Sequence, residues 1–249
     1  MNIGILIQAR LGSTRLPGKI LLPFYGEQAI IDILLEKLHH ATETPVIVAT
    51  TTSPGNDLLV KHLESKGEFV FRGSENDVLN RFIQAAEQYH LDGIIRICSD
   101  NPFLDPEGFQ TLIEKAQTSK AQYIGFRING LPSIKTHFGF WGEYVTLDAL
   151  RKVAWSTDDS LAHEHVTIHL YTHPEEYHCE WIDCPDFIQG RNDIRLTVDT
   201  QEDFDNAKRV YDDLSIKHPG FSLKEVVDYI DRHEELKSSM KRIIELNAK

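Results

Sequence analysis

An α/β fold with a mostly parallel sheet is predicted for this 249-residue chain by two observations. Short, nearly continuous apolar runs rich in β-branched residues recur through its first half, as in strands buried on both faces. Stretches with helical apolar spacing lie between them, so strand and helix alternate.

The strands are read at "IGILI" (3–7), "PVIVAT" (45–50), "EFVF" (68–71) and "GIIRI" (93–97), and the helices at 30–38, 58–63, 78–86 and 109–116. Asn56 or Asp57, Asn76 or Asp77, and Asp105 stand where helix N-caps belong, with Pro106 suited to a first turn. After Tyr123 the rhythm changes: "GFRINGLPSIKTHFGFWGEYV" is aromatic and glycine-rich, which suggests extended segments and turns. Helical stretches at 147–154 and 161–171 precede a strand "YHCEWID". "IRLTVDT" (194–200) reads as another strand leading into a helix near Gln201. The amphipathic C-terminal stretch from Leu223 closes the fold or packs on a partner subunit. Without a repeat or low-complexity linker, the expectation is a single domain: residues 1–130 and 190–249 form the sheet layer, and about 130–185 a mixed α+β insertion.

Lys and Arg number 26 against 38 Asp and Glu, a net charge of −12, which argues against a general nucleic-acid binder. Three cysteines without C-x-x-C spacing argue against a disulfide framework or cysteine zinc site and suit a reducing cytoplasm. The apolar start is too short for a signal h-region or a membrane span, so no membrane partner is expected.

Against this acidic background, "IQARLGSTRLPGKIL" (7–21) carries Arg10, Arg15 and Lys19 with Gly12, Ser13, Thr14 and Gly18, and no acid precedes Glu27. A glycine-containing loop between strand and helix holds phosphate because its amides present positive dipoles to the anion. The P-loop spacing and the G-x-G-x-x-G fingerprint are both absent. What remains is a loop with separated cations, suited to clamping a chain of phosphates; the alternative is a solvated basic loop.

These residues resemble the opening signature of the acylneuraminate and ketodeoxyoctonate cytidylyltransferases, most closely the spore-coat polysaccharide biosynthesis cytidylyltransferase-like branch. The similarity continues through "IVATTTSPGND", "VFRGSENDVLNRF", "IIRICSDNPFLDP", "EHVTIHLY" and "IRLTVDTQEDF", covering most of the chain in order. It implies a Rossmann-like fold of the nucleotide-diphospho-sugar transferase type and transfer of CMP from CTP to an acidic or modified sugar. Pyrophosphate would depart, and a surface glycan would receive the product. The resemblance assigns Arg10, Arg15 and Lys19 to the phosphates and places backbone groups around Gln8, Ala9 and Leu11 near the base and ribose. Asp100 and Asp199 would share Mg²⁺, and a homodimer contact would lie in the insertion.

Read as residues, Asp100 and Asp199 each follow an apolar strand-like run, where ligands gather in open α/β sheets. A turn at Asp100-Asn101-Pro102 and a capping box after Asp199 are their plain alternatives. Arg72, Ser74, Asp77 and Arg81 can reach the same crevice, or form a helix start capped by Ser74 or Asn76 with Arg81 on a solvated face. Thr50, Thr51 and Thr52 either meet the cytosine edge or finish a strand. Arg96, inside an apolar strand, calls for a partner such as Asp77 or the substrate. His165 and His169 are spaced i, i+4, but H-E-x-x-H is not satisfied, so surface or sugar-pocket histidines are favoured over zinc. Trp141, Glu143 and His165 are the acceptor candidates. Phe140, Trp141 and Gly142 stand between Gly139 and Glu143, where resembling proteins usually place an acid. A glycosyltransferase using a nucleotide-diphospho-sugar, or a non-catalytic nucleotide-binding partner, are the competing functions.

Overall fold

The computed structural model describes residues 1–218 and 220–247. Among the described residues the strands are β1 (Ile3–Gln8), β2 (Pro23–Tyr25), β3 (Gln28–Ala29), β4 (Val46–Thr51), β5 (Phe69–Gly73), β6 (Gly93–Cys98), β7 (Tyr123–Ile128), β8 (Leu131–Pro132), β9 (Glu143–Thr146) and β10 (Cys179–Asp183). The helices are α1 (Ile30–Ala41), α2 (Asp57–Ser65), α3 (Val78–Gln88), α4 (Pro106–Thr118), α5 (Leu147–Ser156), α6 (Ser160–His165), α7 (Ile168–Thr172), α8 (Gln201–Lys217), α9 (Leu223–Arg232) and α10 (Glu234–Asn247).

The main sheet runs β10-β7-β9-β6-β1-β4-β5, with β8 beside β7. β4-β5, β1-β4, β1-β6 and β7-β10 pair in parallel, while β9 runs antiparallel between β6 and β7. β1 lies between crossovers that go opposite ways, so the loops after β1 and β6 open a crevice at the strand C-termini. The strands are apolar on both faces because both are covered. Ile5, Ile7 and Val48 pack with α1, α4, α8, α9 and α10, whereas Leu6, Ile47 and Ile94 pack with α3, α5 and α7.

Local chemistry accounts for the boundaries. Asp77 and Asp105 accept from the amides of Asn80 and Gly108 and cap α3 and α4, whereas Asn56 at the start of α2 makes no capping bond. The cap of α3 is therefore Asp77, not Ser74 or Asn76. The tight β7-β8 hairpin turns at Asn129 and Gly130, both at positive φ, the dipeptide such turns demand.

Two expectations are corrected. Residues 194–200 are not a strand: Leu196 and Thr197 donate to His137 O and Val198 to Asp100 O, so the segment crosses the sheet end without joining a ladder. The helix expected at 161–171 is broken at Val166, whose φ is +56°, and His165 and His169 consequently lie on separate helices, α6 and α7. The stretch at 130–185 contributes β9 and β10 to the main sheet. The C-terminal stretch breaks at His233, and Val227, Ile230, Met240 and Ile243 bury its apolar face. Among the described residues, no helix is long and apolar enough to cross a membrane.

Candidate active site

Two adjoining cavities occupy the crevice. The smaller, of about 250 Å³, is lined by Gln8, Arg10, Gly12, Ser13, Thr14, Arg15, Lys19, Cys98, Ser99, Asp100 and Asp199. The larger, of about 500 Å³, is lined by the 133–141 segment together with Arg96, Asn101, His165, Ile168, Tyr171 and Thr197. Cys98, Asp100 and Asp199 belong to both and form the shared wall.

The loop after β1 is held in shape by its own backbone. Leu11 O accepts from Ser13 N and Gly18 N at 2.9 and 3.0 Å, and Leu11 N donates to Asn56 Oδ1 at 2.8 Å. Gly18 at φ +69° starts the short 3₁₀ turn 19–21, a conformation that favours glycine, and buried Ile20 anchors that turn. Arg10 and Arg15 are left exposed while Lys19 is carried inward.

Lys19 is 8 % exposed, and its Nζ donates to Asp100 Oδ2 at 2.8 Å, to Asp199 Oδ1 at 3.3 Å and to the Val198 carbonyl. Arg15 Nη2 pairs with Asp199 Oδ1 at 3.0 Å. Arg195, fully buried, donates to Asp199 Oδ2 at 3.0 Å, to Asp203 at 2.7 and 3.0 Å and to His137 Nδ1 at 2.7 Å. Burial alone would raise the Asp199 carboxyl, but Lys19, Arg15 and Arg195 outweigh it and hold the group below the usual carboxylate range. Burial, then Arg195, push the His137 imidazole down; with Nδ1 accepting, its proton sits on Nε2, leaving a neutral ring. Burial pushes the Cys98 thiol up to about 11, which keeps it protonated and a poor nucleophile.

The two carboxylates and Val198 O already converge on one cation, the Lys19 ammonium. Such hard oxygen donors suit Mg²⁺, which is commonly held by one or two carboxylates with phosphate oxygens and water. Among the described residues, no three His, Cys, Asp or Glu side chains form a metal-holding cluster.

Several expectations are corrected. Thr51 is fully buried, and its Oγ1 accepts from Asn56 Nδ2 at 2.6 Å and from Ser53 N at 3.2 Å, so it braces the loop after β4 instead of facing a base. The amide of Leu11 is spent on Asn56, and Ala9 is buried with its amide directed at Ala49 O. Arg81 lies on neither a solvated face nor the crevice: it is fully buried, Nη1 donates to Ser74 O at 2.7 Å, and Nε and Nη2 have no hydrogen-bond partner among the described residues. Burial, then Arg10 nearby, push its guanidinium down to about 10. Arg72 bonds the carbonyls of Thr51 and Ser53 and pairs with Asp57 at 2.8 Å, Ser74 Oγ accepts from Asp77 N, and Asp77 meets His163 Nδ1 at 2.9 Å. These three support the rim and do not line either cavity.

Arg96 pairs with Glu143 at 2.7 Å and donates to Gln8 Oε1 at 2.9 Å, not to Asp77. Glu143 is 1 % exposed and also accepts from Tyr123 Oη and Thr167 Oγ1, so its oxygens are engaged behind the cavity and not offered to an acceptor. Trp141 and His165 do line the larger cavity. Trp141 stacks on Phe126 at 4.8 Å between centroids and donates Nε1–H to Asp105 at 2.9 Å. Gly139, at φ +68°, passes so close to Asn101 that a Cβ there would stand 2.6 Å from its Oδ1. Sequence reasoning missed Arg195, Asn56, Asn101, Lys135, His137 and Tyr171. Arg195 carried the same signal as Arg96, a charge inside an apolar run.

The sequence pattern of the family described as Cytidylyltransferase matches residues 4–239. The spore coat polysaccharide biosynthesis protein SpsF of Bacillus subtilis (strain 168) is 32% identical over 243 residues, covering 94% of this chain and 96% of that protein. The 3-deoxy-manno-octulosonate cytidylyltransferase of Chlorobium chlorochromatii is 30% identical over 122 residues, 46% of this chain and 45% of that protein. The solved structure of a cytidylyltransferase from Leptospira borgpetersenii superposes with a TM-score of 0.81 at 30% identity, covering 95% of this chain and 96% of that one.

Proposed function

We infer the reaction from one premise: this chain belongs to the cytidylyltransferase family. We propose that it transfers CMP from CTP to an acidic or modified sugar, releasing pyrophosphate, in the making of a surface polysaccharide. The observation that carries this reading is the shared wall: two cavities, one basic and one aromatic, meet at Asp100 and Asp199.

CTP would occupy the smaller cavity with its phosphates against Arg10, Arg15 and Lys19, where cations offset the charge that builds on the departing pyrophosphate. The sugar would occupy the larger cavity and present its hydroxyl across the shared wall, in line with the leaving group. Asp100 and Asp199 would hold Mg²⁺, which when bound neutralises phosphate charge. Lys19 would then give up the carboxylates and turn its ammonium to the phosphates. The protonated Cys98 thiol supports direct attack without a covalent enzyme intermediate.

We place the enzyme in the cytoplasm, where CTP is made and where its three free thiols stay reduced. The stretch at about 130–185, part of the same domain, would wall the acceptor cavity and join two copies; Trp155, 94 % exposed, and Leu161 on this stretch support that contact. A strict monomer in sedimentation at micromolar concentration would end the dimer claim. Calorimetry with CTP, UTP, ATP and a UDP-sugar, with and without Mg²⁺, tests the reaction class. Selective, metal-strengthened CTP binding followed by pyrophosphate release is expected; preference for the UDP-sugar would point to a glycosyltransferase.

A further inference from the structure

The larger cavity carries charges of both signs on its lining. Asp100 and Asp199 stand on the wall it shares with the smaller cavity. Arg96 also lines it, but Glu143 neutralises that guanidinium at 2.7 Å. Lys135 lines the larger cavity alone, and among the described residues it has no carboxylate partner. Its ammonium lies over the Tyr171 ring, 5.3 Å from the centroid, and Tyr171 is itself a wall of the cavity. An aromatic face of this kind orients a cation without neutralising it. Asn101, only 6 % exposed, lines the same cavity beside Gly139.

We propose that Lys135 is the residue that selects the acceptor, by pairing with an anionic group, carboxylate or phosphate, on a sugar whose reacting hydroxyl points to the Asp100–Asp199 wall. The inference rests on the cytidylyl-transfer reading above and deepens it. Carboxylates on the shared wall and a cation away from it would orient a ligand that is negative at one end and hydroxylated at the other. A neutral sugar leaves the ammonium unpaired, and an anion held the wrong way round meets the aspartates.

Pyrophosphate release tests this with CTP, Mg²⁺ and two acceptor panels: sugar acids and sugar phosphates in one, their methyl esters and dephosphorylated counterparts in the other. Turnover confined to the anionic panel is expected, and the active half of that panel tells carboxylate from phosphate. Lys135→Met, which keeps the aliphatic stem over Tyr171, should raise KM for the accepted sugar roughly ten- to a hundredfold with KM for CTP unchanged. Lys135→Arg should restore most of the loss. Lys135 is exposed, so these variants are expected to keep the wild-type circular dichroism spectrum and melting temperature. Equal turnover of the neutral counterparts overturns the proposal, as does an unchanged acceptor KM in Lys135→Met. No turnover of either panel by an enzyme that binds CTP overturns it too. A wild type that does not bind CTP at all brings down the transfer reading itself, and the two failures are thereby told apart.

Discussion

The smaller cavity is walled by a loop whose arginines stand in solvent, whereas the larger is walled by a packed aromatic layer resting on buried polar pairs. In the first, Arg10 and Arg15 are exposed and little of the core depends on them. In the second, Trp141 is clamped between Phe126 and Asp105, and Arg96 on the lining pairs with Glu143 behind it, almost sealed from water. The contrast teaches that charge handling and shape selection impose different demands. Phosphate clamps work with mobile cations over a rigid strand end, while a selective acceptor wall needs side chains fixed by their neighbours.

If that division holds, substitutions on the two sides fail differently. Asp100→Asn, at the seam, should lower kcat on the order of a thousandfold or more, ~4 kcal/mol at the transition state, with the melting temperature nearly unchanged. Steady-state kinetics beside thermal melts would check it. Glu143→Ala should do the reverse and cost ~3–4 kcal/mol of stability in urea denaturation, because it strands the Arg96 guanidinium without its carboxylate. A stable Glu143→Ala protein that has lost only acceptor binding would break the comparison. Arg10→Ala should lower kcat/KM for CTP by about a hundredfold, ~2.7 kcal/mol, and leave the urea midpoint where it was.

The smallest effect sharpens the seam between the two sides. Lys37 Nζ donates to Pro102 O at 3.0 Å, two residues past Asp100, beneath the rings of Tyr211 and Phe221. Burial lowers its ammonium from 10.5 to about 8, with Asp105 pulling the other way. The folded value lies below the unfolded one, so the penalty for charging it is complete below about pH 8 and is relieved as pH rises toward 10.5. Between pH 8 and 9.5 the wild type should therefore gain ~2 kcal/mol of unfolding free energy relative to Lys37→Met, read by urea titrations at both pH values.

The parallel part of the sheet was legible because its strands, buried on both faces, write their burial into composition: "IGILI" and "GIIRI" need no partner to be recognised. The loop of Arg10, Arg15 and Lys19 stood out because it is basic in an acidic chain, and it does line the smaller cavity. Residues 194–200 were misread because their apolar side chains are buried by crossing the sheet end, which composition cannot tell from pairing within it. Glu143 and Arg81 were assigned outward roles because a charge in the sequence carries no sign of whether a buried partner awaits it. Arg96 and Glu143 are 47 positions apart and meet through the antiparallel pairing of β9 with β6. Asn56, Asn101 and His137 act through individual hydrogen bonds or close approaches that leave no periodic trace.

Lys19 meets Asp199 across 180 positions of chain, and Asp100 across 81. Contacts of such separation close large loops and are repaid only when the intervening chain has found its place. The cluster at the seam is therefore an end-to-end latch: a chain still emerging from the ribosome lacks Asp199 even when its first strands are formed. If Asp199 serves as proposed, catalytic competence waits for that late residue, and nucleotide turnover doubles as a report that the latch has closed.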